Sequence, residues 1–258
     1  MRAILAGAFS FFVGMTGIAS GQNSAELAPN NTLRVAALLS NPVLVTKKQD
    51  GSLGGVAIEL GQMIAKKLGA RFQAIPYQTT DTFAKSFGSG EWDIAIGPRT
   101  PVAEKHADLS QPFMFVDNIY VAAPGKRFSN ASDVDRSGVR IAVVLNGAPD
   151  QYLSKNLKSA TLIRVDGATP QIVQALREGK ADVYGSNAEN VQAAANELPG
   201  STIIPGAFRS VEMVVAMPRG RSSAAQDAIK AYVNEAKSSG LVQKAISSAG
   251  LKGVRVAN

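Results

Sequence analysis

The residues best placed to do chemistry lie between Gly88 and Pro112, in the run GSGEWDIAIGPRTPVAEKHADLSQP. Gly88-Ser89-Gly90 reads as a turn and residues 94–96 as a short buried strand. Gly97, Pro98, Arg99 and Thr100 break that strand, and Thr100-Pro101 has the form of an N-cap followed by a first-turn proline. Polar groups and free backbone amides therefore gather at the carboxyl end of a strand, where open α/β sheets hold their ligands. The planar fork of Arg99 suits a carboxylate, a phosphate or a sulfonate. Its competing structural use is a salt bridge, for instance to Glu104.

Three further loops carry the same kind of group. Ser40-Asn41-Pro42 ends an apolar run, Asn146-Gly147-Ala148 precedes a helix begun by Pro149, and Gly185-Ser186-Asn187 follows another apolar run. Amides at helix starts, a few hydroxyl or carboxamide side chains and one charge are the parts of a polar binding cleft. Each has a local alternative: Ser186-x-x-Glu189 is a capping box, and Asn146 can cap its own helix. Trp92 and Tyr77 could stack on a ligand, with packing at a turn and a strand end as the alternative.

Catalytic signatures are scarce. His106 is the one histidine and there is no cysteine, so neither a histidine cluster nor a zinc thiolate site is available. No Gly-x-Ser-x-Gly elbow, P-loop or Gly-x-Gly-x-x-Gly occurs. Asp93 and Asp182 each open a strand after a glycine turn, where turn hydrogen bonds explain them better than acid–base work. The expectation is a binding protein, not an enzyme, with no metal and no cofactor.

These loops are positioned by alternating strand-like and helix-like segments. Residues 33–39 read as a buried parallel strand. A helix follows with Val56, Leu60, Met63, Ile64 and Leu68 on one face and Gly69 as its stop, then a strand over 71–76 and a helix over 81–87 capped by Asp81. A second series runs strand 139–145, helix 149–157, strand 161–165, a helix opened by Thr169-Pro170, strand 181–184 and a helix over 187–198. Residues 222–240 form a closing amphipathic helix. Repeated βα units with short connections predict an α/β fold. Near-continuous strands at 118–123 and 211–217 flank the second series.

In this order the chain resembles the small-solute binding proteins of bacterial ABC importers, the family of polar amino-acid binders. That family carries a Gly-x-x-Asp turn into a buried strand, a Thr-containing loop and an Asp-Phe-Ser-x-Pro-Tyr-like box. Here the box is Asp108-Leu109-Ser110-Gln111-Pro112-Phe113, and Arg177-Glu178-Gly179-Lys180-Ala181-Asp182 falls in family order behind it. The resemblance implies a two-lobed type II periplasmic binding protein with two hinge-crossing strands: residues 32–120 plus 212–258 as lobe 1 and 121–211 as lobe 2. It implies solute contact at Ser40, Asn41, Thr80, Gly97, Arg99, Thr100, Asn146, Gly147, Ser186 and Asn187. It also implies an inner-membrane ABC permease as partner. Departures from the pattern are informative. The arginine that grips an α-carboxylate is expected at Ala103, and the aspartate for an α-ammonium at Asn187. An ammonium buried without a carboxylate partner would cost several kcal/mol. The expected solute is therefore anionic or neutral and polar. An enzyme on the same scaffold, such as a cyclic-carboxylate dehydratase, and a sensory binder without transport are the alternatives.

The start of the chain fits export. Arg2 precedes an apolar run from Ala3 to Ile18 broken by Gly and Ser, with small residues at Ala19 and Gly21 for cleavage. Residues 1–21 are thus read as a signal peptide and 22–31 as a disordered lead-in, giving a periplasmic protein. The formal net charge is +7, but Lys and Arg are scattered, so nucleic acid is not an expected partner and a monomer is. The chain after the leader is long enough for a sizeable core.

Overall fold

The computed structural model describes residues 25–145, 147–166 and 169–258; the expected leader, 1–21, and Asn146 lie outside the described residues. The strands are β1 (Thr32–Leu38), β2 (Thr46–Lys47), β3 (Leu53–Gly54), β4 (Arg71–Tyr77), β5 (Ile94–Pro98), β6 (Ala107–Leu109), β7 (Met114–Ala122), β8 (Arg140–Val144), β9 (Thr161–Val165), β10 (Val183–Asn187), β11 (Thr202–Pro218) and β12 (Val254–Val256). The helices are α1 (Val56–Lys67), α2 (Thr80–Lys85), α3 (Pro101–His106), α4 (Ala148–Asn156), α5 (Thr169–Arg177), α6 (Ala188–Glu197), α7 (Ser223–Ser238) and α8 (Leu241–Ser248).

One curled sheet carries the order β4-β1-β5-β11-β7-β10-β8-β9, with β12 added to β7 and β6 to β11. The outer trios are parallel: β4-β1-β5 at one end and β10-β8-β9 at the other. Between them β11 and β7 run antiparallel. The apolar run of β1 arises because both of its faces are covered. Leu33, Val35 and Ala37 pack with Leu60 and Ile64 of α1 and Ile229 and Val233 of α7. Ala36 and Leu38 face Phe83 and Trp92 on the opposite side. The same division recurs in β8, where Ile141 and Val143 join Tyr120 and Leu153 while Ala142 joins Ile172 and Tyr184.

A repeated carboxylate–guanidinium device joins the strands of each trio. Asp93, fully buried just before β5, accepts from the Arg34 backbone N–H (2.9 Å), Nε (3.1 Å) and Nη2 (2.9 Å) on β1. Asp182, just before β10, accepts from the same three groups of Arg140 on β8, each at 3.0 Å, and from Lys126 Nζ at 2.8 Å. Both aspartates are thus cross-strand anchors rather than local turn caps. The hydrogen bonds from Arg140, with Lys126 beside it, hold the Asp182 carboxyl well below the usual carboxylate range against the opposing effect of burial. A depressed folded-state value means that this stabilisation is complete above the unfolded pKa, about 3.9, and is lost as pH falls below it. Unfolding free energies from urea titrations between pH 7 and pH 2 should therefore fall more steeply for the native chain than for Asp182→Asn, by at most about 1.4 kcal/mol per pH unit. Parallel acid limbs would remove Asp182 from the account.

Several boundaries differ from the sequence reading. The helix expected from Asp81 begins at Thr80 and is capped by Thr79, whose extended backbone allows a reciprocal bond with Thr82. Asp81 instead pairs with Lys85 at 2.8 Å. The second crossing strand begins at Thr202, not near residue 211. Pro205-Gly206 hides its first half, and a shift of register between Ile204 and Arg209 absorbs them. The lead-in is not wholly disordered: Leu27 is fully buried and Glu26 accepts from Ser222 N (2.7 Å) and Oγ (2.5 Å). Burying one leucine contributes about 2 kcal/mol, enough to offset ordering a residue or two.

Candidate functional site

The carboxyl ends of the parallel strands collect the expected residues in two groups. At one end of the sheet, β1 delivers Ser40 and Asn41, its neighbour β4 is followed by Thr80, and β5 ends in Gly97, Pro98, Arg99 and Thr100. At the other, β8 leads to Gly147 and β10 to Ser186 and Asn187. The crossing strands β7 and β11 connect the two groups. Arg99 N–H donates to Glu212 O (2.8 Å), and Glu212 pairs with Phe115 of β7. Asn187 pairs with Asn118 of the same strand. Phe115 and Asn118 are three residues apart, about 10 Å along a strand.

Many of these side chains already have local work. Asn41 Oδ1 accepts from Val43 N (3.2 Å), closing a turn. Thr100 Oγ1 accepts from Ala103 N (3.2 Å), the N-cap that the Thr-Pro pair predicted, with Pro101 in the first turn. Asn187 Oδ1 accepts from Asn190 N (2.9 Å) and so caps α6. The sequence had pointed to Ser186 for that cap. Ser186 remains inside β10, buried, with Asn190 Nδ2 at 3.4 Å from its Oγ. Gly147 is the N-cap of α4 without a side-chain bond. Ser40 and Thr80 are exposed, and Gly97 is buried against Phe83.

The charges form a compact cluster. Arg99 Nε donates to Glu212 Oε2 (2.6 Å), and its Nη1 lies 3.4 Å from Glu104 Oε1. The Glu104 contact was the structural alternative visible in sequence. Glu212, 113 positions from Arg99, was not visible, because only the pairing of β5 with β11 brings the two together. Asn118, buried on β7 and paired with Asn187, was not singled out in the sequence, although it is the one carboxamide in a mostly apolar run. Ala103, where the importer binders carry an arginine, is buried. Trp92 donates to Ser86 Oγ (2.9 Å) inside the core and does not face a solute. Among the described residues no cluster of His, Cys, Asp and Glu could hold a metal ion.

This architecture, two parallel trios joined by two antiparallel crossing strands, is a two-lobed type II periplasmic-binding-protein fold. The sequence profile of the bacterial extracellular solute-binding proteins, family 3, matches residues 33–248, and the chain belongs to that family. A cyclohexadienyl dehydratase of Pseudomonas aeruginosa is 24% identical over 230 residues, spanning 85% of this chain and 82% of the relative. The L-cystine solute receptor of Neisseria gonorrhoeae, in its unliganded open conformation, superposes with a TM-score of 0.68 at 20% identity, covering 90% of this chain and 98% of the receptor. A mutant of ArgBP from T. maritima gives 0.59 at 21% identity, covering 88% and 99%. At these identities the likeness to the solved structures is one of fold.

Proposed function

We propose that the protein is a periplasmic receptor which closes its lobes over a small polar solute and delivers it to an inner-membrane ABC permease. Lobe 1 is taken as residues 32–120 plus 212–258 and lobe 2 as 121–211. The observation that carries this reading is the arrival of two sets of strand-end loops at hinge-strand residues only three positions apart. Closure would be a hinge motion of β7 and β11, biased by contacts that the solute makes with both loop sets at once.

Arg99 remains the proposed grip on an acidic group. Its Nε is taken by Glu212, its Nη1 contact with Glu104 is long, and among the described residues Nη2 has no partner. A solute carboxylate would bind that open edge and compete with Glu212. The solute class is accordingly a small organic acid, or an amino-acid-like molecule that carries one. The test is calorimetry against a panel of organic acids and amino acids. Arg99→Ala should weaken the binding of an acid about 10- to 100-fold, while Glu212→Gln, which releases the guanidinium, should strengthen it. Binding restricted to cationic amino acids, unchanged in Arg99→Ala, overturns the assignment.

The dehydratase relative supports a second reading, an enzyme acting on a cyclic carboxylate. It needs a cleft carboxyl group as general acid. Incubation with hydroxylated cyclic carboxylates, followed by product analysis, separates turnover from binding.

A further inference from the structure

A concavity lies away from the strand-end loops. It has a volume of about 360 Å³ and is walled by Tyr120 of β7, Tyr152 and Leu153 of α4, Asp135, Ser132 and Phe208. None of the expected solute-binding residues lines it. Phe208 belongs to the excursion between Ile204 and Arg209, where β11 leaves its register with β7. The excursion is held by aromatic contact: Phe208 stacks on Tyr120 with centroids 4.3 Å apart and meets Tyr152 at 6.2 Å. Arg209 caps the Tyr152 ring at 5.0 Å. The aromatic wall is therefore pre-formed and needs no rearrangement.

Its polar groups are unequal. Asp135 accepts from three successive amides, Lys158 N (2.8 Å), Ser159 N (2.8 Å) and Ala160 N (2.9 Å), and those bonds hold it anionic. Tyr120 is 2% exposed, yet among the described residues its hydroxyl has no hydrogen-bond partner. Tyr184, by contrast, has its unpartnered hydroxyl sealed in the core, whereas Tyr120 borders open space. Burial, with Asp135 and Tyr152 beside it, pushes the Tyr120 hydroxyl well above its ordinary pKa, so it stays a donor at any physiological pH. Because the Tyr120 hydroxyl borders the open concavity, a ligand oxygen can replace water as its acceptor.

We propose that this concavity is a second ligand site, selective for a small neutral aromatic that carries a hydroxyl, of the phenol type. The ring lies against Phe208 and Tyr152, an arrangement that offset or edge contacts favour. The phenol oxygen accepts from Tyr120, and its proton points toward Asp135. Asp135 disfavours an aromatic carboxylate, since no cation stands in the lining to offset it. An ammonium has no lone pair to accept the Tyr120 proton, so benzylammonium, which Asp135 attracts, is the competitor that the test must separate. The volume fits one ring with one substituent.

The test is a protein-detected NMR titration of the full chain with 4-methylphenol, beside toluene, benzoate and benzylammonium. The expected result is saturable shifts at Ala207, Phe208 and Tyr152 with 4-methylphenol, and at least fivefold weaker binding of the other three. Tyr120→Phe should weaken 4-methylphenol about fivefold and leave toluene unchanged or improved, reversing the preference. Ala207→Trp, at an exposed position in the wall, should abolish binding by filling the space. No saturation by 4-methylphenol, tighter binding of benzylammonium or benzoate, or equal affinity in Tyr120→Phe overturns the proposal. None of these outcomes bears on the strand-end loops, so the receptor reading stands or falls separately.

Discussion

Replacing Asp93 by alanine is expected to lower the unfolding free energy by about 3 kcal/mol, and Asp182→Ala by a similar amount. The reason is the same at both ends of the sheet. Each carboxylate is almost fully buried, and each satisfies one backbone N–H and two guanidinium N–H groups of an arginine on the adjacent strand. Removing it leaves a strand amide unpaired inside the sheet and a guanidinium without its counter-ion. The two arginines are only partly buried, at 34% and 38% side-chain exposure, so water recovers some of the loss and the lower part of the usual range applies. The sites share no partner, so the double variant should lose about 6 kcal/mol, within about 0.5. That is a large part of the 5–15 kcal/mol typical of a domain, and the double variant should be largely unfolded at 37 °C. Urea denaturation followed by far-ultraviolet circular dichroism measures both effects. A cost under about 1 kcal/mol for either single variant would mean that the anchor is dispensable.

These anchors mark where sequence reading reached its limit. Asp93 and Asp182 stood out as strand-opening acids, but their partners lie 59 and 42 positions upstream, where nothing local identifies them. The same holds for Glu212 at Arg99: side-chain chemistry was legible, long-range pairing was not. What was legible came from short-range physics. Apolar runs marked strands covered on both faces, helical periodicity marked α1 and α7, and Thr100-Pro101 marked the start of α3. Where two local signals competed, the backbone decided. Asn187 took the cap of α6 from Ser186 because the helix begins at Ala188, which puts Asn187 at the N-cap position and leaves Ser186 one residue short. The first half of β11 was lost behind Pro205-Gly206, which reads as a turn yet here lies in an excursion within a continuous strand.

Gly253→Ala should be nearly as costly as losing an anchor, and for a different reason. Gly253 has φ +61, and a Cβ added there would stand 2.3 Å from the Ala188 Cβ at the start of α6. Its carbonyl accepts from Asp117 N (2.8 Å), and the residues after it pair with β7 as β12. Beyond that bond, Asp117 accepts from Ser210 Oγ (2.5 Å), lies 3.5 Å from Arg255 Nε, and so ties β7, β11 and β12 together. Arg255 in turn covers the Phe115 ring at 4.3 Å. The C-terminal segment is thus pinned on the hinge side and cannot retreat, so the overlap must be relieved by moving α6 or by detaching β12. Left-handed backbone strain and overpacking together should cost about 2–4 kcal/mol. Gly250→Ala is the control, because Gly250 has φ +62 with open space around its missing Cβ and pays the backbone strain alone, about 1 kcal/mol. The difference between the two isolates the contact with α6. Ala188 follows Asn187, so a displaced helix start should also speed hydrogen exchange at the Asn190 amide, which the Asn187 side chain holds. Equal stability of the two variants, with unchanged exchange at Asn190, would show that the C-terminal segment does not bear on that helix.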